Sequence, residues 1–306
     1  MILLAALIYG SYFIVLKLAS EEGFGPAAIM LYRGAVFLIV AAAFLGRGIV
    51  TMTRKDILFG SIIGILNFLG FFFQTVGSSH STPSNNAFIT CLNTVFVPFF
   101  AWLIYKKKPS WKVYVSLPVA LIGMALLTGI FTTTFKIETG DTFSFLGAIV
   151  FAIVIVLLGN MAKKINLKKL LFIMAFWQTI GGFIMFGAQE NFVMPPSINW
   201  LNFILIFLFL GLIASFAATT IQTYGQRFTS ETSTVMILAL ESVFAFVLSI
   251  ALGFDTFSLP LLFGGVLIIG AVVFLIADYS IFKQKSKQPL NDSNEIKDNL
   301  SSVESE

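Results

Sequence analysis

Apolar runs of about twenty residues recur along nearly the whole chain, at 2–19, 27–45, 57–77, 84–105, 111–130, 142–160, 169–188, 200–222, 232–253 and 258–280. A helix needs about 20 mostly apolar residues to cross the hydrocarbon core of a bilayer. Strands of a membrane barrel would be roughly 10 residues long and strictly alternating, whereas these runs are longer and apolar all round. With no water in hydrocarbon, each backbone N–H and C=O must be satisfied within its own segment, and helices meet that demand. The composition agrees, with 58% of residues hydrophobic and 11% charged, against about 25% charged in a soluble domain. The sequence therefore predicts an all-α polytopic membrane protein with ten transmembrane helices.

The net charge of +4 does not point to nucleic acid, because the basic residues sit in short runs between apolar segments. That is the pattern of membrane topology, in which Lys and Arg gather in cytoplasmic loops. With a cytoplasmic N-terminus, one side receives Arg47, Arg54 and Lys55, then Lys106, Lys107, Lys108 and Lys112, then Lys163, Lys164, Lys168 and Lys169, and Arg227. The tail adds Lys283, Lys285, Lys287 and Lys297 to that side, and the loops on the other side hold Lys136 alone. Both termini are thus expected in the cytoplasm, in a cytoplasmic membrane. The first apolar run lacks a basic n-region and a small-residue cleavage site, and reads as the first span rather than a signal peptide. The single cysteine, Cys91, rules out an internal disulfide.

An internal repeat divides the chain. Residues 74–98, QTVGSSHSTPSNNAFITCLNTVFVP, align without a gap on residues 222–246, QTYGQRFTSETSTVMILALESVFAF, at a shift of 148. Gln74, Thr75 and Gly77 fall on Gln222, Thr223 and Gly225, and the polar opening is not what chance matching of two apolar helices would produce. Five spans per copy is an odd number, so the second copy is expected to enter the membrane inverted. Such repeats place a substrate site near the midplane at their interface. The expected units are 1–135, 136–280 and a polar cytoplasmic tail, 281–306, too rich in charge to order itself.

Polar residues inside spans are the candidates for function. The third span carries Gly60, Gly64, Asn67, Phe71 and Gln74 on one face, and the copy carries Ser215, Thr219 and Gln222 at the positions of the last three. Close helix packing and cavity lining are both open for the glycines, while Asn67 and Gln74 are expected to line a cavity. The fourth span carries Asn86, Thr90 and Asn93 on one face, and Glu241 is the repeat equivalent of Asn93. At 1.5 Å per residue both lie about 15 Å deep. An ionised, unpaired carboxylate there costs at least about 2.5 kcal/mol, so Glu241 is expected to be neutral at rest, paired with a cation, or tied structurally to another helix. Pro98, further along the fourth span, leaves the carbonyl of Thr94 without its usual donor and predicts a bend there that Phe246, its counterpart, does not impose.

Lys17 and Arg33 are the basic residues within spans. Lys17 is near enough to one end to snorkel. Arg33 is deeper, and either pairs with Glu21 or Glu22 or offers its guanidinium to an anionic substrate group. Trp177 falls opposite Arg33 in the repeat and is a candidate cavity aromatic. Motifs of hydrolases, zinc proteases and nucleotide-binding loops are absent, and the lone His80 lies in a loop, so neither catalysis nor a cofactor or metal is expected.

The aligned stretches, with YGSYFIVLKLA at 9–19 and GPAAIMLYRG at 25–34, resemble the EamA-type permeases of the drug/metabolite transporter superfamily. The matching residues are Gly10, Ser11, Phe13 and Lys17, then Pro26 and Arg33. In the first copy they are Gln74, Thr75, Gly77, Ser84, Ala87 to Thr90 and Val95 to Pro98; in the second, Leu240, Glu241, Val243, Phe244 and Ala245. Ser242 stands where the family pattern has proline. The resemblance implies ten helices, alternating access and movement of a small metabolite, often outward. The expected function is secondary transport of a small organic solute, driven by a gradient, with Glu241 as candidate proton carrier. The expected cavity comprises Arg33, Asn67, Phe71, Gln74, Asn86, Asn93, Trp177, Ser215, Gln222 and Glu241. The partners are a small-molecule substrate, the lipid bilayer and protons, with no nucleic acid. A non-transporting receptor or scaffold is the alternative, though the loops are short and no extramembrane domain is evident.

Overall fold

A computed structural model describes residues 1–80, 88–106, 108–128, 139–161, 164–253 and 259–277, with the backbone alone for residues 47, 49, 50, 78 and 79. Nine helices in these residues are long and apolar enough to cross a membrane: α1 (Ile2–Glu21), α2 (Pro26–Leu45), α3 (Arg54–Ser79), α4 (Phe88–Tyr105), α6 (Thr139–Met161), α7 (Leu167–Glu190), α8 (Trp200–Gly225), α9 (Glu231–Ala251) and α10 (Leu259–Ile276). A further apolar helix, α5 (Trp111–Leu127), has 17 residues and falls short of the span predicted at 111–130. The chain is a multi-pass membrane protein. Asn86 and the tail 281–306 lie outside the described residues.

The helix ends follow from local chemistry. Pro26 occupies the first turn of α2, where its missing N–H costs nothing. Gly46, at φ 55°, ends that helix. Thr53 and Asp56 form a reciprocal capping box on α3, and Asn166, Asn199 and Ser230 accept amides at the starts of α7, α8 and α9. Asn191, at φ 47°, closes α7 in the left-handed conformation that asparagine tolerates.

Neighbours in the bundle pair off under the 148-residue correspondence. Helix α2 packs along α7, and α4 packs against the first half of α9. Helix α3 lies on α6 as α8 lies on α1; α3 touches α7 as α8 touches α2; α4 touches α6 as the second half of α9 touches α1. The glycine of each QTxG opening explains one matched pair: Gly77 presses on Ser144 of α6, and Gly225 presses on Ile2 of α1. A side chain at either position would meet the facing helix, which is why a polar motif is followed by glycine in both copies.

Candidate functional site

Helices α4 and α9 are both interrupted, and at equivalent places. In α4 the α-helix gives way to a turn at Cys91 and Leu92; in α9 it does so at Ala239, which is Cys91 shifted by 148. The backbone stays right-handed, with φ −60° and ψ −14° at Leu92 and φ −57° and ψ −20° at Ala239, so each is a local turn and not an unwound segment. In α4 the amides of Leu92, Thr94 and Val95 reach back only three residues, to Ile89, Cys91 and Leu92. A hydroxyl three residues on explains both turns. Thr94 Oγ1 donates to the Cys91 carbonyl at 2.8 Å, and its counterpart Ser242 Oγ donates to the Ala239 carbonyl at 2.7 Å. Such back-bonding competes with the helical ladder and bends helices.

Pro98 lies within the continuous stretch Asn93–Tyr105, beyond the turn. The helix α9, with Ser242 instead of the family's proline and Phe246 opposite Pro98, is interrupted just as α4 is. Asn93 immediately follows the interruption in α4, Glu241 lies two residues past the one in α9, and both are half-buried. Gly10 of α1 lies against the backbone of Glu241 and Ala245 and the Cβ of Phe244 so closely that a Cβ would come within 2.7 Å of the Glu241 carbonyl oxygen. Helix α1 therefore backs the segment that carries the carboxylate.

A second cluster surrounds Arg33, which is 1% exposed. Its Nε donates to Ser215 Oγ at 3.2 Å and its Nη1 to the Tyr12 hydroxyl at 2.9 Å. The guanidinium carbon lies 4.2 Å from the centre of the Phe71 ring and 5.0 Å from that of Tyr12. Neither Glu21 nor Glu22 pairs with it; Glu22 instead accepts from Asn202 Nδ2 at 2.6 Å. Ser215 reaches the guanidinium because residues Phe209–Ala217 of α8 are a π-helix. The wider turn lets Ser215 Oγ donate to the Leu210 carbonyl, five residues back, at 2.7 Å while accepting from Arg33. Irregular turns of this kind gather at functional sites.

Tyr9 extends this polar network. Its hydroxyl donates to Gln222 Oε1 at 2.8 Å and lies 3.4 Å from Thr219 Oγ1. Helices α1, α2, α3 and α8 thus contribute to one polar interior, and α9 packs on α1 at Gly10. Of the residues singled out from the sequence, Arg33, Phe71, Ser215 and Gln222 take part in these contacts. Gln74 and Asn67 are half-buried on α3, and Asn67 makes no side-chain hydrogen bond with a described residue. Trp177 is half-buried against Gly64 and lies edge-on to Phe176, at the contact of α7 with α3. His80 is exposed at the end of α3, and Lys17 is exposed on α1. Tyr9 and Tyr12 were missed. The available signal was two tyrosines one turn apart well inside an apolar helix, away from the interface where tyrosine ordinarily sits.

The EamA-like transporter family model matches this chain twice, over residues 1–129 and 138–277. An uncharacterized transporter of Archaeoglobus fulgidus is 31% identical over 272 residues, covering 89% of this chain and 83% of that protein. One of Clostridium kluyveri is 25% identical over 327 residues, covering 99% and 98%. A protein crystal structure at 17% identity superimposes with a TM-score of 0.69, covering 93% of this chain and 96% of that one, a likeness of fold.

Proposed function

This chain belongs to the EamA-like transporter family, and on that premise we propose that it is a secondary transporter that moves a small organic solute across the cytoplasmic membrane by alternating access, in the outward direction and coupled to protons. The chain is a membrane transporter; its drive, direction and cycle are the proposal. The observation that carries it is the pair of interruptions in α4 and α9, with a polar residue close behind each turn, Asn93 next to it in α4 and Glu241 two residues on in α9. Transporters bind substrate and coupling ions at interrupted helices near the midplane, where loosened backbone and polar side chains face a cavity.

The reading extends to architecture. Ten helices form two inverted halves, 1–135 and 136–280, with both termini in the cytoplasm, and the half-to-half interface holds the solute. Arg33, Asn67, Phe71, Gln74, Asn86, Asn93, Trp177, Ser215 and Gln222 line the path, and Glu241 exchanges a proton as the cavity opens to each side. Tyr9, bonded to Gln222, links the Glu241 side of the cavity to the Arg33 side. Glu241→Gln keeps the shape and hydrogen bonding but cannot ionise. The expected result in liposomes is a folded protein that still exchanges substrate yet fails to accumulate it in response to a proton gradient. Gradient-driven transport equal to that of the parent protein removes Glu241 from the coupling.

A further inference from the structure

We infer that the solute is a small organic acid carrying a single carboxylate and an apolar body, and that the carboxylate docks on Arg33. The inference rests on the transport reading and gives its cargo a chemical class. A guanidinium keeps its charge in proteins, and Arg33 is buried with no carboxylate within ion-pair distance among the described residues. Tyr12, Ser215 and the ring of Phe71 are neutral: they orient the guanidinium and disperse its charge without cancelling it. Breaking a buried pair by removing one partner is strongly unfavourable, so a buried cation without its anion fits a site that receives the anion from its ligand.

The chemistry of the ligand follows from what surrounds the cation. The planar fork of arginine matches a carboxylate in two parallel hydrogen bonds. Nε and Nη1 are engaged with Ser215 and Tyr12, and Nη2 and the second Nη1 hydrogen have no partner among the described residues. A dianion such as a phosphate monoester would need a second cation, and the other basic residue of the first two helices, Lys17, is exposed. The faces of Phe71 and Tyr12, with Phe151 5.1 Å behind Phe71 and Phe13 5.7 Å from Tyr12, suit an apolar remainder. Arg33 is covered in this conformation, so the ligand reaches it through the rearrangement that transport requires.

The test uses purified full-length protein in detergent, with thermal shift as the binding readout and counterflow in liposomes as the transport readout. The probes are isovalerate, phenylacetate and indole-3-acetate, the three corresponding amides, and phenyl phosphate. At least one carboxylate should raise the melting temperature, while its amide and phenyl phosphate should not. Arg33→Gln should abolish that shift and Arg33→Lys should weaken it, since lysine keeps the charge and loses the fork. Tyr12→Phe and Ser215→Ala keep Arg33 itself and remove one positioning bond each. They should weaken binding about three- to tenfold, and they carry the test if Arg33→Gln does not fold. The proposal is overturned if no carboxylate binds, if the amide or the phosphate binds as well, or if none of the folded variants changes the shift. Counterflow of a neutral solute without carboxylate binding would sink this inference and leave the transport reading intact. Carboxylate binding without any counterflow would do the reverse.

Discussion

Two helix pairs of this protein occupy matching positions in the repeat and are built in opposite ways. Helices α2 and α7 run unbroken and are clamped at both ends. At one end the Glu190 carboxylate, from the last turn of α7, accepts the amides of Ala27 and Ala28 at 2.7 and 3.2 Å, capping the start of α2. At the other, Lys169 in the first turn of α7 donates to the Thr51 carbonyl at 2.6 Å and to Asp56 at 2.8 Å. Between the clamps Gly182 lies against the backbone of Met30 and Leu31, and Gly34 against that of Gln178 and Thr179. Helices α4 and α9 are instead interrupted midway, with a hydroxyl bonded to the carbonyl at the turn of each and a polar residue just beyond. The contrast is one of construction: α2–α7 is packed close along its length, and α4–α9, broken midway, is the pair we expect to deform. Nearly equal hydropathy hides it, since all four helices are apolar enough to span a bilayer.

Substitutions can break that contrast. The largest effect is expected at Gly182, where a Cβ would sit 2.7 Å from the Leu31 amide nitrogen, a backbone atom that cannot move aside cheaply. Gly182→Ala should cost about 1–3 kcal/mol by overpacking and lower the melting temperature clearly. Gly270→Ala, with nothing within 4 Å, should leave it unchanged. Equal melting temperatures for the two variants would mean that α2 and α7 do not need their close approach.

Next comes the cap on α2. Glu190→Gln removes the negative charge from a helix start, where it is worth about 0.3–1 kcal/mol at an exposed site and up to about 2 when partly buried, as here. Thermal unfolding of the variant should shift down by a smaller amount than for Gly182→Ala, and hydrogen exchange should rise in the first turn of α2. An unchanged exchange pattern there would show that the carboxylate does not hold the helix end.

The smallest stability effect, and the most informative one for function, is expected in the deformable pair. Thr94→Val and Ser242→Ala remove the back-bonding hydroxyls but leave each carbonyl in a helix. Each should change stability by less than about 1 kcal/mol, given that side-chain hydrogen bonds within membrane helices average about 0.6 kcal/mol. Counterflow rate should nevertheless fall in both, and further in the double variant, because the helices lose their built-in bend. A double variant that transports at the parent rate would reduce the interruptions to local geometry without mechanical consequence.

Much of this was legible before any coordinate. Glu241 and Asn93 stood out because a polar side chain in hydrocarbon is costly, and Arg33 for the same reason; the structure surrounds Arg33 with Tyr12, Ser215 and Phe71. The turn in α9 was not legible. Proline is a helix breaker visible in a sequence, whereas the hydroxyls of Thr94 and Ser242, which bond three residues back at the two turns, carry no such mark. Serine and threonine occur throughout these spans, and a sequence does not say which of them turns back on its own backbone. Trp177 was singled out by alignment, and the structure shows it packed on Gly64, a contact that depends on how two distant helices cross.

By itself the sequence determined that this protein is a bundle of apolar helices, where each helix lies along the chain, and which residues stand out as polar in an apolar setting. Those properties are local: hydropathy and caps act over one helix, and repeat matching needs only the order of residues. The tertiary structure alone decided the partners. It placed Tyr12 and Ser215 on Arg33, joined Tyr9 to Gln222, set Gly10 against Glu241, and widened α8 into a π-helix so that Ser215 could reach across. The physical reason is that hydrogen bonds and close contacts are short-ranged, whereas the residues that the hydrogen bonds alone join are up to 213 positions apart in the chain, and only the packing of whole helices brings such residues within reach.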